Sequence, residues 1–196
     1  MFCRTSALRV LLIVLVFAAL PAAAQRSLIT IHVGKTGMFS GLGHNHTVTA
    51  PISRAAIDTK APSTEILIFS RELKVVDKEV SDSDRAKIQS TMLGPDVLDT
   101  DKFPEIRFKS SKIEQTAAQH YRVSGDLTLH GVTKPLSFEV TSDADHYHGT
   151  AKLNQTDFGI KPVSVAGGTV KVKDELELEF DIYAGEFSSG NRRLAQ

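Results

Sequence analysis

Apolar and polar residues alternate one for one through much of the chain. In KDELELEFDIYA (173–184), Leu176, Leu178, Phe180 and Ile182 fall on one side, and Glu175, Glu177, Glu179 and Asp181 on the other. Successive side chains of a β-strand point to opposite faces, so this spacing predicts a half-buried antiparallel strand with one face in water. A helix over the same residues would carry carboxylates around its whole circumference. The period recurs at Ile106 and Phe108, at Leu127 and Leu129, and at Leu136, Phe138 and Val140. Together with 28–33, 46–58, 64–75 and 147–157, these segments make about eight strands joined mostly by short turns, which predicts an all-β barrel or sandwich.

One segment breaks the period. Ser81, Asp82, Ser83 and Asp84 supply a cap and first-turn carboxylates suited to the positive end of a helix dipole. Val80, Ile88 and Met92 share a face, and Gly94-Pro95 ends the run. A single helix of about ten residues is expected between strands three and four, covering one side or end of the sheet.

The first residues belong to a different pattern. Arg4 and Arg9 flank the start of an unbroken apolar run from Val10 to Leu20, and Pro21 is followed by Ala22, Ala23 and Ala24. The run is too short to span a bilayer, so residues 1–24 read as a secretory signal peptide cleaved after Ala24. The one cysteine, Cys3, lies in this leader, and a mature chain starting at Gln25 is expected to form no disulfide and to use no thiolate. Removing Arg4 and Arg9 from 23 basic residues leaves 21 against 23 acidic, a net charge of −2. No basic block points to a nucleic-acid partner. The expected product is periplasmic, without stable membrane insertion. It has one domain over 25–184 and a flexible polar tail over 185–196.

The candidate chemistry is sparse. His44 and His46 have the i, i+2 spacing that places two imidazoles on one strand face, in phase with Val48, Ala50 and Ile52. A catalytic zinc needs three protein ligands and an open position. His32, His130, His146 and His148 are out of phase with their apolar neighbours and read as surface residues, so none supplies the third ligand. Asp157-Phe158-Gly159 matches a kinase magnesium motif but lacks the glycine-rich loop and His-Arg-Asp segment that would accompany it. No G-x-S-x-G is present. No catalytic residue and no cofactor is expected.

The hairpin GDLTLHGVTKPLSFEV (125–140) resembles the hallmark of the YceI-like family of exported lipid- or polyisoprenoid-binding proteins. Three further stretches agree in order. Leu98-Asp99 resembles the family's F-D position, FPEIRFKSS (103–111) its FP-x-I-x-F-x-S strand, and LNQTDFGI (153–160) its N-R-x-D-F-G strand. The likeness covers residues 28–184. Departures are the compact, glycine-rich segment 33–46, Gln155 where arginine is common, and Val97-Leu98-Asp99 in place of an aromatic pair. The resemblance implies an eight-stranded antiparallel lipocalin-like barrel with one short helix, holding a long apolar amphiphile and using no catalytic residue. Eight strands leave an interior wide enough for one small ligand.

Ile106, Phe108, Leu127, Leu129, Phe138, Leu178 and Phe180 are then the expected lining, with Phe39, Leu42, His44 and Phe103 at a mouth. The expected partner is an isoprenoid or acyl lipid; a homodimer stays open. Two rivals stand beside this carrier: a metal-binding enzyme built on His44 and His46, and a filled barrel acting as a structural or stress-protective module.

Overall fold

The computed structural model describes residues 26–36, 45–58, 62–165 and 170–188. The expected leader and the tail beyond Ser188 lie outside these residues. The alternation is realised as one antiparallel sheet that holds eleven strands among the described residues. They are β1 (Leu28–Thr36), β2 (His46–Pro51), β3 (Arg54–Asp58), β4 (Ser63–Phe69), β5 (Lys74–Val75) and β6 (Glu105–Ala117). After these come β7 (His120–Leu129), β8 (Val132–Asp143), β9 (His146–Asn154), β10 (Ser164–Val165) and β11 (Val170–Tyr183). Two helices, α1 (Asp82–Leu93) and α2 (Ala184–Ser188), complete the described chain. The sheet order is β3-β4-β6-β7-β8-β9-β11-β1-β2-β5, with β10 beside β11.

The all-β class is as expected, but the strand count and the helix position differ. Eleven strands stand where eight were expected, and α1 follows the fifth strand rather than the third. The expected strand over 46–58 divides into β2 and β3 at residues 52–53, and that over 64–75 divides into β4 and β5 at residues 70–73. Across each break the inward positions change parity. Val48, Ala50 and Ile52 give way to Ala55 and Ile57, and Ile66 and Ile68 give way to Leu73 and Val75. Uninterrupted alternation was the wrong expectation here because the chain bends and restarts in the opposite phase.

Serines hold the corner. Ser53 N donates to Leu67 O (2.9 Å) and Phe69 N to Ser53 Oγ (3.2 Å). Ser70, only 1% exposed, donates from N to Pro104 O (2.9 Å) and from Oγ to Phe103 O (2.8 Å). The backbone groups released by the interrupted ladder are thus partnered. On either side of the corner β3 pairs β4 and β2 pairs β5, while β2 also pairs β1 and β4 also pairs β6. The sheet therefore curls around a common interior.

The helix starts where the capping signals place it and runs twelve residues. Ser81 Oγ accepts from Asp84 N (3.1 Å), and Gly94 N closes the last turn on Ser90 O (3.0 Å) and Thr91 O (3.2 Å). No residue of α1 is fully buried; Ile88, Met92 and Leu93 pack half-buried on the core. Gln89 ties the helix to the start of β5, donating from Nε2 to Leu73 O and accepting from Val75 N, both at 2.8 Å. The helix is a cover on the interior rather than part of the core. Residues 185–188, expected as tail, belong to α2, where Glu186 accepts from Ser27 N (2.6 Å).

The hairpin between β7 and β8 is one of three closed by a two-residue loop among the described residues. Leu129 pairs with Val132, leaving His130 and Gly131 as a two-residue loop with φ of 52° and 74°. Two successive positive φ values are what such loops require, and they favour glycine. Gly131 is also forced by contact, since a Cβ there would sit 2.5 Å from the Phe103 ring.

Candidate functional site

The curled sheet lines a partly open cavity of about 630 Å³, within the range of small-molecule sites. Ile106, Phe108, Leu127, Leu129, Phe138, Leu178 and Phe180 border this cavity. The expected mouth residues fare differently. Phe39, Leu42 and His44 lie outside the described residues. Phe103 does not line the cavity. It packs over Gly131 with its ring centroid 4.3 Å from that of His130, and Lys102 Nζ lies 5.1 Å from the ring centroid. Its chain neighbours turn it toward the tight turn because Phe103 O and Pro104 O serve the buried Ser70.

An aromatic series dominates one wall. The Phe108 and Phe138 centroids are 5.3 Å apart, and those of Phe138 and Phe180 are 4.9 Å apart, in tilted and edge-on contacts. Two inward glycines make room for it. A Cβ on Gly125 would lie 2.8 Å from Phe108 and 2.3 Å from Lys109 O. One on Gly149 would lie 2.5 Å from Phe180 and 2.4 Å from Glu139 O. The rings lie over bare backbone, and Phe138 remains half-buried beside the cavity.

Sequence reasoning missed several lining groups. From α1 come Ile88 and Met92, and from β7 and β9 come Tyr121 and Tyr147. The tyrosines were legible in principle, since each sits on the inward phase of its strand. Two polar groups carry no periodic signal. Gln155, buried at 6% exposure, lines the cavity and donates from Nε2 to Lys173 O (2.7 Å). Asp77, at 7% exposure, accepts from Thr47 N and holds His46 Nδ1, both at 2.6 Å. His46 faces inward as expected and lines the cavity. Its β1 partner is Val33, so it stands with Lys35 and Gln155 at the end where β1 runs into 37–44 and β11 begins. Among the described residues His46 belongs to no group of three possible metal ligands.

The other histidines divide. His32, His146 and His148 lie on the outer face as expected, against Glu179 and Asp181. His130 departs from its expected surface position. It is half-buried in the β7–β8 turn, with Nδ1 3.2 Å from Phe158 O. Asp157-Phe158-Gly159 has a structural role. Residues Gln155–Phe158 form a 3₁₀ turn closed by Gly159 at φ 73°, and Phe158 is 3% exposed in the core. Thr156 anchors the turn by donating to Asp174 from Oγ1 (2.6 Å) and N (2.9 Å), and these bonds hold the Asp174 carboxyl below its ordinary value.

Comparison with known proteins agrees with this geometry. The YceI-like domain profile matches residues 23–184. A UPF0312 protein of Pseudomonas putida is 33% identical over 105 residues, covering 48% of this chain and 55% of the relative. One from Pseudomonas syringae pv. tomato is 37% identical over 100 residues, covering 46% and 50%. The chain spans about half the length of the curated relatives it matches. Among solved structures, BcnA of Burkholderia cenocepacia superposes with a TM-score of 0.55 at 17% identity, over 79% of this chain and 94% of that one. That likeness is one of fold.

Proposed function

Because the chain belongs to the YceI-like family and lines a partly open apolar cavity, we propose that it binds and carries a long apolar amphiphile, of isoprenoid or fatty-acyl type, inside a β-barrel. The cavity of about 630 Å³ carries this reading. A partly open, mostly apolar cavity of this size leaves apolar surface uncovered, and such surface in a small domain marks a ligand or partner site. A filled structural module would close it with larger side chains.

The sheet is consistent with a barrel of eight strands when each bent stretch, 46–58 and 63–75, is counted once and the two-residue β10 is left aside. The pairings of β2 with β1 and β5, and of β4 with β3 and β6, support this reading. Affinity comes from burial. Each methylene removed from water contributes about 0.8 kcal/mol, so fifteen offer roughly 12 kcal/mol gross. Association takes back about 4 kcal/mol or more, which leaves roughly 8 kcal/mol at most, or micromolar binding at best. The polar end by His46, Lys35 and Gln155 receives the head group, and the tail lies along the Phe108–Phe138–Phe180 wall. The leader over 1–24 delivers the carrier to the periplasm.

The test is to purify the exported protein, extract it with organic solvent and identify the extract by mass spectrometry. The delipidated protein is then titrated with a fluorescent long-chain isoprenoid or acyl probe. A stoichiometric apolar compound and saturable probe binding are expected. A clean extract together with no probe binding would sink the reading.

A further inference from the structure

The outer face of β11 bears four carboxylates at alternate positions, and they are not neutralised alike. Glu175 and Glu177 share one cation, Lys152 Nζ, at 3.0 Å from each. Glu179 and Asp181 have histidines instead. Asp181 Oδ1 is 3.0 Å from His146 Nε2 and 3.1 Å from His148 Nδ1, and Glu179 Oε2 is 3.6 Å from His32 Nε2. Among the described residues, no lysine or arginine pairs with either carboxylate. Like charges on one strand face repel.

The strand register assembles these groups. His148 and Asp181 are directly paired across β9 and β11, and Glu179 lies two residues from Asp181 on the same face. One ligand atom from each of His148, Glu179 and Asp181 lies within 4.8 Å of the other two. We propose that this cluster is a surface site for a divalent transition ion of the zinc or copper(II) type. The proposal is independent of what the cavity holds.

The donor set selects that class. One imidazole nitrogen with two carboxylates suits zinc and copper(II), whereas calcium and magnesium favour oxygen alone. Zinc–nitrogen and zinc–oxygen bonds are about 2.0–2.2 Å, so the three atoms must draw slightly closer. The part-exposed side chains are free to do so by small rotations. Two carboxylates balance the charge of the ion, and water completes its coordination, with His146 Nε2 bonded to the same Asp181 oxygen from outside the group of three.

Untagged, chelator-treated protein is titrated with zinc chloride by calorimetry at neutral pH. Copper(II) is followed in parallel by electron paramagnetic resonance. Expected are one ion per chain at about micromolar affinity and nitrogen hyperfine structure in the copper spectrum. His148→Ala and Asp181→Asn should each weaken binding about ten-fold or more, with the hyperfine pattern reduced in the histidine variant. His46→Ala and Glu177→Gln should leave affinity within about two-fold. Absence of saturable binding below about 100 μM overturns the proposal. So does tight binding that survives both His148→Ala and Asp181→Asn, or that is lost in His46→Ala instead.

Discussion

The two sides of the cavity are built on different plans. The β6, β8 and β11 side carries Phe108, Phe138 and Phe180 on long strands, and around these rings the alternation holds, β6 shifting register only past Ser110. The β2 and β3 side, two strands beyond β11 and β6 around the sheet, carries Val48, Ala50, Ala55 and Ile57, and it is bent. Large rings on the first side lie down over Gly125 and Gly149, while the second presents small or branched groups and, at one end, His46. Neither side reaches across to fill the interior. The cavity follows from this pairing of flattened aromatics with short aliphatics, and each plan can be attacked separately.

The largest expected effect comes from filling a glycine notch. Gly149→Val would put a side chain where Phe180 and Glu139 O already are, and should cost about 3 kcal/mol or more in urea unfolding. A loss under about 1 kcal/mol would show that the rings have room to shift and that the notch is not needed. Truncating the rings comes next. Phe108→Ala should cost about 3–5 kcal/mol, as for packed core. Phe138→Ala, half-buried beside the cavity, should cost about 2 kcal/mol in delipidated protein, and the gap should widen when a long-chain ligand is added. Equal losses that ignore the ligand would erase the distinction between cavity wall and core.

From the aliphatic side, Ala50→Leu should shift stability by about 1 kcal/mol or less while weakening probe binding about ten-fold, because the added carbons enter the cavity. Undiminished affinity would place the ligand elsewhere. The smallest effect concerns the turn beside Gln155. The Asp174 carboxyl is held below its ordinary value by the Thr156 hydroxyl and then by the Thr156 amide. Its stabilisation is therefore present above the ordinary carboxylate range and lost as pH falls through the lower folded value. Asp174→Asn should bring acid unfolding on at a slightly higher pH, read by circular dichroism during acid titration. An unchanged acid midpoint would mean the Thr156 bonds form equally with the amide.

The same contrast explains how much was legible in the sequence. In β11, Leu176 to Ile182 face in and Glu175 to Asp181 face out without a slip, so the strand and its lining residues follow from period two. In the bent half, the phase changes at Ser53 and again between Ser70 and Leu73, so continuous alternation gave two strands where four exist. A serine has no periodic signature that announces a corner. His130 and Phe103 were misplaced for a related reason. The turn needs positive φ at His130, and Gly131 opens a seat for the ring, both matters of three-dimensional contact. Asp77 and Gln155 are single polar residues whose burial depends on distant partners, Thr47 and His46 for one and Lys173 for the other.

The pairing of β1 with β11 bears on the order of assembly. Ser27 N bonds Glu186, 159 residues away along the chain, and Tyr183 N bonds Ser27 Oγ back across the same seam. Hairpins such as β6–β7 and β7–β8 close short loops and can form early, whereas this seam must wait for almost the whole described chain. Until β11 arrives, β1 and β9 are open strand edges and the phenylalanine wall lacks Phe180. The seam should be the last part of the sheet to gain protection from hydrogen exchange during refolding, and an incomplete chain would present the sticky intermediate that a cell must guard.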